Sequence, residues 1–136
     1  MNSDTFTLKT AGHMEMVDIT GNVQRFIHTQ KHEEGYCYLF NPHTTAGLTI
    51  NEGADPDVQT DIINAFQRMV PKDIPYRHAE GNSRSHVMAS LMGSHLTIAV
   101  ENGQLRLGTW QRIFFCEFDG PRTRKVHLRL HRIPEP

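Results

Sequence analysis

Apolar residues recur along this chain in two rhythms, first helical and later alternating. Ile19, Val23, Phe26 and Ile27 fall at offsets of zero, four, seven and eight, the stripe of an amphipathic helix, and Asp18-Ile19-Thr20 offers capping side chains at its start. Gly35 closes that segment. Tyr36 to Phe40 is apolar at successive positions, which predicts a central strand covered on both faces, and it runs into the polar loop Asn41-Pro42-His43-Thr44-Thr45. Gly47 to Asn51 reads as a short second strand. Asp55-Pro56 then places a capping carboxylate before a proline at the first helical position. Val58, Ile62, Ala65, Phe66 and Met69 repeat at helical spacing until Pro71 stops the pattern.

Pro71 to Ser83 shows no periodicity and predicts a loop of about a dozen residues, a length that more often serves function than connection. Val87 and Leu91 mark a short helix ended by Gly93. From Ser94 the period is two: Leu96, Ile98 and Val100 alternate with more polar positions, and Asn102-Gly103 signals a hairpin. Trp110 to Phe118 is apolar on both faces, Asp119-Gly120-Pro121 is a turn, and Val126, Leu128 and Leu130 mark a last half-buried strand. Pro134-Glu135-Pro136 reads as a frayed end. The expected architecture is a single α+β domain over residues 1–136, with a mixed, mostly antiparallel sheet and two to three helices.

Length and charge narrow the possibilities. The 136 residues suffice for one domain with a radius of gyration of about 14 Å. No apolar stretch approaches the roughly 18 residues of a spanning helix. Met1 to Lys9 lacks the basic stretch, apolar core and cleavage site of a secretory signal, so a cytoplasmic location is expected. Fourteen basic and fifteen acidic residues give a net charge of −1, which offers little long-range attraction for nucleic acid or anionic lipid. No nucleic-acid or membrane partner is therefore expected, and any anion site must be local. Cys37 and Cys116 sit in apolar runs, as buried reduced thiols do. Nine histidines supply metal ligands, proton-transfer groups or merely polar tips.

Position discriminates among the candidate groups only in part. His43-Thr44-Thr45 follows a buried strand, where a loop on a rigid scaffold aims polar groups at a ligand, although threonine hydroxyls also satisfy the backbone of their own turn. His78 in the long loop and His86 on the following helix can fold toward one point with a third ligand, a set that zinc, manganese and iron accept; isolated surface imidazoles are the plainer reading. Glu52, Asp55, Asp57 and Asp61 surround the start of the second helix. They suit a hard cation or a general base, while Asp55 and Asp57 are also explained by the helix N-terminus. Arg122, Arg124 and Lys125 follow a turn, as phosphate-binding guanidiniums or as a solvated surface. The chain has no glycine-rich phosphate loop and no nucleophile elbow.

Several of these pieces fall in a distinctive order. His43-Thr44-Thr45-Ala46 is followed by Asn51-Glu52, by Asp57 and Asp61, by His78, and by Asn82 with His86. Ser94 then leads through Gly103 to Gly108-Thr109-Trp110-Gln111 and to Asp119-Gly120-Pro121-Arg122. Over nearly its whole length the chain thereby resembles the YjbQ family, also labelled UPF0047. The resemblance implies a compact α+β domain that assembles as a homotrimer, with a metal-capable histidine pocket near subunit boundaries. It also implies secondary thiamine-phosphate synthase activity on a phosphorylated small molecule. A pyrimidine carbon is transferred to a thiazole nitrogen as pyrophosphate leaves, and a divalent cation (zinc, manganese or magnesium) assists.

Carried over residue by residue, His43, His78 and His86 become metal or phosphate contacts, with His43, Glu52 and Asp61 as catalytic groups. Thr44, Thr45, Asn82, Trp110, Gln111 and Arg122 would bind substrate. A non-catalytic, trimeric metal- or metabolite-binding module is the alternative. Two positions depart from the family pattern: Gly81 stands where an Asp often precedes the Asn, and Arg84 where an acid or His is more usual. The first weakens or alters a metal site, and the second would favour an anionic substrate.

Overall fold

The computed structural model describes residues 2–31 and 34–134. In chain order these form β1 (Ser3–Lys9), β2 (Glu15–Asp18), α1 (Thr20–Gln30), β3 (Gly35–Phe40), β4 (Ala46–Glu52), α2 (Pro56–Met69), α3 (Ser83–Met92), β5 (His95–Glu101), β6 (Gln104–Leu105), β7 (Gln111–Glu117) and β8 (Thr123–Arg132). The strands pair antiparallel in two sheets, one ordered β1-β8-β3-β5-β6 and the other β2-β7-β4. The α+β architecture is as expected.

Two cores explain the apolar patterns. Cys37, Leu39, Ile98, Val100, Val126, Leu128 and Leu130 from the larger sheet meet Ala46, Leu48, Ile113 and Phe115 from the smaller one, and the α1 stripe of Val23, Phe26 and Ile27 packs into the same cluster. On the other face of the small sheet, Phe114, Cys116 and Phe118 pack with Met88 and Ala89 of α3 and with Val70. β7 is thus covered on both faces because it is the middle strand of a middle layer, which is why its sequence lacks alternation. Both cysteines are free and buried, and burial pushes each thiol up to about 12, so they are packing residues rather than nucleophiles.

Local signals set the boundaries. Asp55 caps α2 by accepting the Asp57 N–H at 2.9 Å, with Pro56 behind it. The Asn102-Gly103 turn has positive φ at both residues, 52° and 70°, as a two-residue hairpin requires.

Two expectations need correction. β3 is covered on one face only: it is central in its sheet, but Tyr36 is 49% exposed and Phe40 38%, because no layer lies outside that sheet. Trp110 precedes β7 in an exposed turn rather than belonging to a buried strand. The short helix ended by Gly93 is present as α3, in which Val87 and Leu91 face solvent while Ser85, Met88 and Ala89 are buried and Ser85 Oγ donates to Phe118 O at 2.6 Å. The N-terminal strands β1 and β2 were not anticipated from sequence. Of the expected frayed end, Glu135 and Pro136 lie outside the described residues.

Candidate functional site

One end of the sandwich is closed by charge. Glu117, the last residue of β7, is wholly buried, and Arg124, near the start of β8, is 3% exposed. Arg124 Nε donates to Glu117 Oε1 at 2.8 Å and its Nη2 to Oε2, while Thr10 Oγ1 donates to Oε1 at 2.6 Å and the Asp119 N–H to Oε2 at 3.1 Å. Burial alone would raise the Glu117 carboxyl's pKa. Arg124 and the other donors outweigh it and hold the group below its ordinary value. Arg124 Nη2 also donates to Thr45 Oγ1 at 2.9 Å and to Thr45 O at 3.3 Å, so the ion pair fixes the loop that enters β4.

That loop is shaped from within by Asn41, itself buried. Its Oδ1 accepts the His43 N–H at 3.0 Å, and its Nδ2 donates to Ala46 O at 2.7 Å. The turn exposes Thr44 and half-buries His43, whose Nε2 accepts the Lys125 N–H at 2.8 Å. Burial first, and then the nearby positive charge of Arg124, lower the His43 pKa, so the imidazole is neutral at pH 7. With Nε2 accepting, the proton sits on Nδ1 and is free to donate.

The loop between α2 and α3 supplies the opposite wall. Gly81, at φ 76°, reverses the chain, and its N–H donates to His78 O at 3.3 Å. His78 and His86 meet edge to face with ring centroids 5.3 Å apart, and Glu80 Oε2 lies 3.9 Å from His78 Nε2. Asn82 Nδ2 donates to Asp119 Oδ2 at 3.0 Å, and Arg122 grips Asp119 through Nε to O at 2.7 Å and Nη2 to Oδ2 at 2.9 Å. Burial would raise the Asp119 pKa, but the Asn82 and Arg122 hydrogen bonds bring it below the ordinary value, so the carboxylate stays charged. Two of Arg122's five N–H groups are used in this way, and three remain. Asn82 Oδ1 is buried without a hydrogen-bond partner among the described residues, an acceptor that costs about 1–3 kcal/mol until a donor reaches it.

Between these walls lies a cleft of about 410 Å³ that gathers His43, Thr44, Thr45, His78, Asn82, His86 and Arg122. These seven expected site residues come together from four chain segments. The others do not join them within one chain. Glu52 ends β4, and its Oε2 accepts the Asp55 N–H at 2.9 Å, bracing the start of α2, while Asp61 is exposed on α2. Gln111 Oε1 accepts the Gly108 N–H at 2.7 Å, beside the exposed Trp110. Glu52 pairs with Gln111, and Ala46 with Glu117, at opposite ends of the β4–β7 ladder, so Glu52 and Gln111 stand about 20 Å along the strands from the end where Thr45 lines the cleft.

Among the described residues, no three or more His, Cys, Asp and Glu side chains are arranged to hold a metal ion. His78 and His86 form a pair, and the His43 Nε2 lone pair is engaged by Lys125. Arg84, expected to favour an anion, instead donates to Val70 O at 2.6 Å and Gln67 O at 2.7 Å, capping the last turn of α2. Arg124 is likewise engaged internally and is not a free phosphate ligand. A larger cleft of about 770 Å³, beside Tyr38, Phe40, His127 and Arg129 on the outer sheet face, contains none of the expected residues.

Sequence reasoning missed Asn41 and Glu117. The signals were present: an Asn-Pro pair at a strand end, and an acid between Cys116 and Phe118 at the end of an apolar run.

A family model described as UPF0047 protein YjbQ-like matches residues 4–132. The UPF0047 protein YugU of Bacillus subtilis is 46% identical over 127 residues, covering 93% of this chain and 96% of that one. A UPF0047 protein of Methanocaldococcus jannaschii is also 46% identical, over 92% of this chain and 91% of its own. The crystal structure of an uncharacterized conserved YjbQ/UPF0047-family protein from Clostridium acetobutylicum superposes with a TM-score of 0.92 at 48% identity, covering 94% of this chain and 99% of that one. A hypothetical protein from Aeropyrum pernix gives 0.92 at 35% identity, covering 98% and 100%.

Proposed function

The chain belongs to the UPF0047 (YjbQ-like) family, and from that premise we propose that it is a small metal-assisted enzyme acting on phosphorylated small molecules, with secondary thiamine-phosphate synthase activity and the histidine cleft as its active site. The observation that carries this reading is the convergence of His43, Thr44, His78, Asn82, His86 and Arg122 on one cleft of about 410 Å³. In the proposed reaction the thiazole nitrogen attacks the pyrimidine methylene carbon as the bond from that carbon to pyrophosphate breaks. The leaving oxygen takes the electron pair, so the site's task is to stabilise negative charge developing on the leaving group.

The side chains suit that task. Arg122 is held by Asp119 and presents its remaining N–H groups. Neutral His43 offers Nδ1–H without the desolvation cost of a buried cation, and the Thr44 hydroxyl is exposed beside it. Asn82 Oδ1 is poised to accept from a ring amino group.

Two imidazoles suit a borderline divalent cation, so His78 and His86 would hold one, and further ligands would come from substrate or water. When bound it supplies Lewis-acid stabilisation of the leaving oxygens. Homotrimeric assembly and a cytoplasmic location belong to the same reading. The exposed Tyr36 and Phe40, with half-buried Tyr38 between them, give the larger sheet an aromatic outer face of the kind that subunit interfaces cover. No helix among the described residues is long and apolar enough to cross a membrane.

The non-catalytic binding module is favoured by one observation, that two histidines rather than three form the close pair. Turnover decides between them. With hydroxymethylpyrimidine pyrophosphate and thiazole phosphate, the wild-type chain forms thiamine phosphate, and His86→Ala and Arg122→Ala lose at least tenfold in rate while remaining folded. No product with the wild type, alongside metal that is bound and then lost in His86→Ala, would leave the module.

A further inference from the structure

Asn82 also lines a second cleft, of about 280 Å³, which shares no other residue with the histidine cleft. Its walls come from the connection between β1 and β2, which supplies His13 and Met14, from the loop after α2, which supplies Lys72 and Tyr76, and from Arg84 of α3. The hydrogen bond from Asn82 Nδ2 to Asp119 Oδ2 at 3.0 Å forms the partition. Asp119 lines the second cleft, and Arg122, which grips it, lines the first.

The charges in this second cleft are unbalanced. Arg84 is half-buried, and its bonds to Val70 O and Gln67 O at 2.6 and 2.7 Å fix the guanidinium without neutralising it, because a carbonyl oxygen carries no net charge. Two of its five N–H groups are used in this way, and three remain. Neither Arg84 nor Lys72 has a carboxylate partner among the described residues, and the one acid in the lining, Asp119, is already matched by Arg122. His13 Nδ1 lies 3.4 Å from Gly120 O, which leaves Nε2 unengaged. A cation drawn partly out of water without a counter-charge favours an incoming anion. Beside these groups stand half-buried Met14 and Tyr76; the Tyr76 hydroxyl is tied to Pro71 O at 2.6 Å, so its ring is what it offers a ligand. A thioether and an aromatic face suit a small, polarisable ring.

We infer that this second cleft is an anion subsite for a phosphomonoester carrying a small ring, the partner substrate of the pyrophosphate ester in the histidine cleft. The inference rests on the reading proposed above, in which two anionic substrates meet: one loses pyrophosphate and the other keeps its phosphate. Pyrophosphate occupies Arg122 and the imidazoles, so a second phosphate needs cations of its own. Arg84, braced by α2, and Lys72 supply them on the other side of Asn82. Asn82 then stands between the two substrates, and its bond to Asp119 couples the cations of one cleft to the partition of the other.

Calorimetric titration separates the two clefts, with thiazole phosphate, inorganic phosphate and inorganic pyrophosphate with manganese as probes. Thiazole phosphate should bind the wild type and His86→Ala alike, with or without saturating pyrophosphate, and bind Lys72→Glu and Arg84→Gln about tenfold more weakly or worse. Pyrophosphate should lose affinity in His86→Ala and keep it in Lys72→Glu. Lys72 is exposed, so Lys72→Glu remains folded even where loss of the α2 cap unfolds Arg84→Gln. Tighter binding of thiazole phosphate than of inorganic phosphate assigns the cleft to the ester rather than to free phosphate. The inference is overturned if thiazole phosphate does not bind, if it binds Lys72→Glu as well as the wild type, if pyrophosphate displaces it, or if inorganic phosphate matches its affinity. Failure of the active-site reading looks different: pyrophosphate then binds His86→Ala as it binds the wild type, while the loss of thiazole phosphate in Lys72→Glu persists.

Discussion

Replacing Glu117 with alanine tests whether the closed end of the sandwich is held by its buried ion pair. The carboxylate accepts from Arg124 Nε and Nη2, from Thr10 Oγ1 and from the Asp119 N–H. Without it, the Arg124 guanidinium keeps only Thr45 O and Oγ1 as partners and remains 3% exposed, a cation in the core with no counter-charge. Removing one partner of such a pair costs about 3–5 kcal/mol. That is a large share of the roughly 5–15 kcal/mol by which a domain of this size is stable.

Urea unfolding followed by circular dichroism should therefore show a lower midpoint for Glu117→Ala with an unchanged slope. Glu117→Leu/Arg124→Met, which removes both charges and fills the space, should recover most of the loss yet leave Thr45 unanchored and the cleft impaired. Acid sharpens the comparison. Glu117 titrates lower when folded than its ordinary 4.5, so its contribution is present above that value and disappears as pH falls through the folded pKa. The wild type should therefore lose more stability below pH 4.5 than Glu117→Ala does. A single variant costing under about 1 kcal/mol, or a double variant as unstable as the single, would refute the reasoning.

Three further outcomes follow from the same geometry. His43 should titrate below 6.5 by proton NMR and move upward in Arg124→Met; because the unfolded chain takes this proton first, the group costs stability as pH falls through 6.5. Asp119→Ala should release both Arg122 and Asn82 and weaken pyrophosphate binding about tenfold, or roughly 1.4 kcal/mol, in calorimetry, with a smaller effect on urea stability. Gly35→Ala should destabilise by about 1–3 kcal/mol or more, since the new methyl group would overlap the His131 carbonyl oxygen of paired β8, which no rotamer change relieves.

Much of the framework was legible because it depends on neighbours in sequence. Asp55-Pro56 with the stripe to Met69 defined α2 to within a residue, Asn102-Gly103 marked the hairpin, and the apolar run over residues 113–116 of β7 betrayed a strand covered twice. What sequence could not supply was long-range pairing. β1 carries only Phe6 and Leu8 toward the core and is a strand because β8 lies beside it, a partner more than a hundred residues away. The same applies at the site. The spacing of His78 and His86 allowed a shared point, and the structure joins them, but nothing local says that Glu117 and Arg124 neutralise each other behind Thr45. Tyr36 and Phe40 misled because a sheet's uncovered face can be as aromatic as its core.

The most direct test of the central claim is calorimetric titration of inorganic pyrophosphate, with manganese present, into the wild-type chain and into Arg122→Ala, His86→Ala and Thr7→Ala. An active site for phosphorylated substrates in the histidine cleft requires binding to the wild type and to Thr7→Ala, and at least tenfold weaker binding to the other two. Equal affinity in all four proteins, or no binding to the wild type, would contradict it.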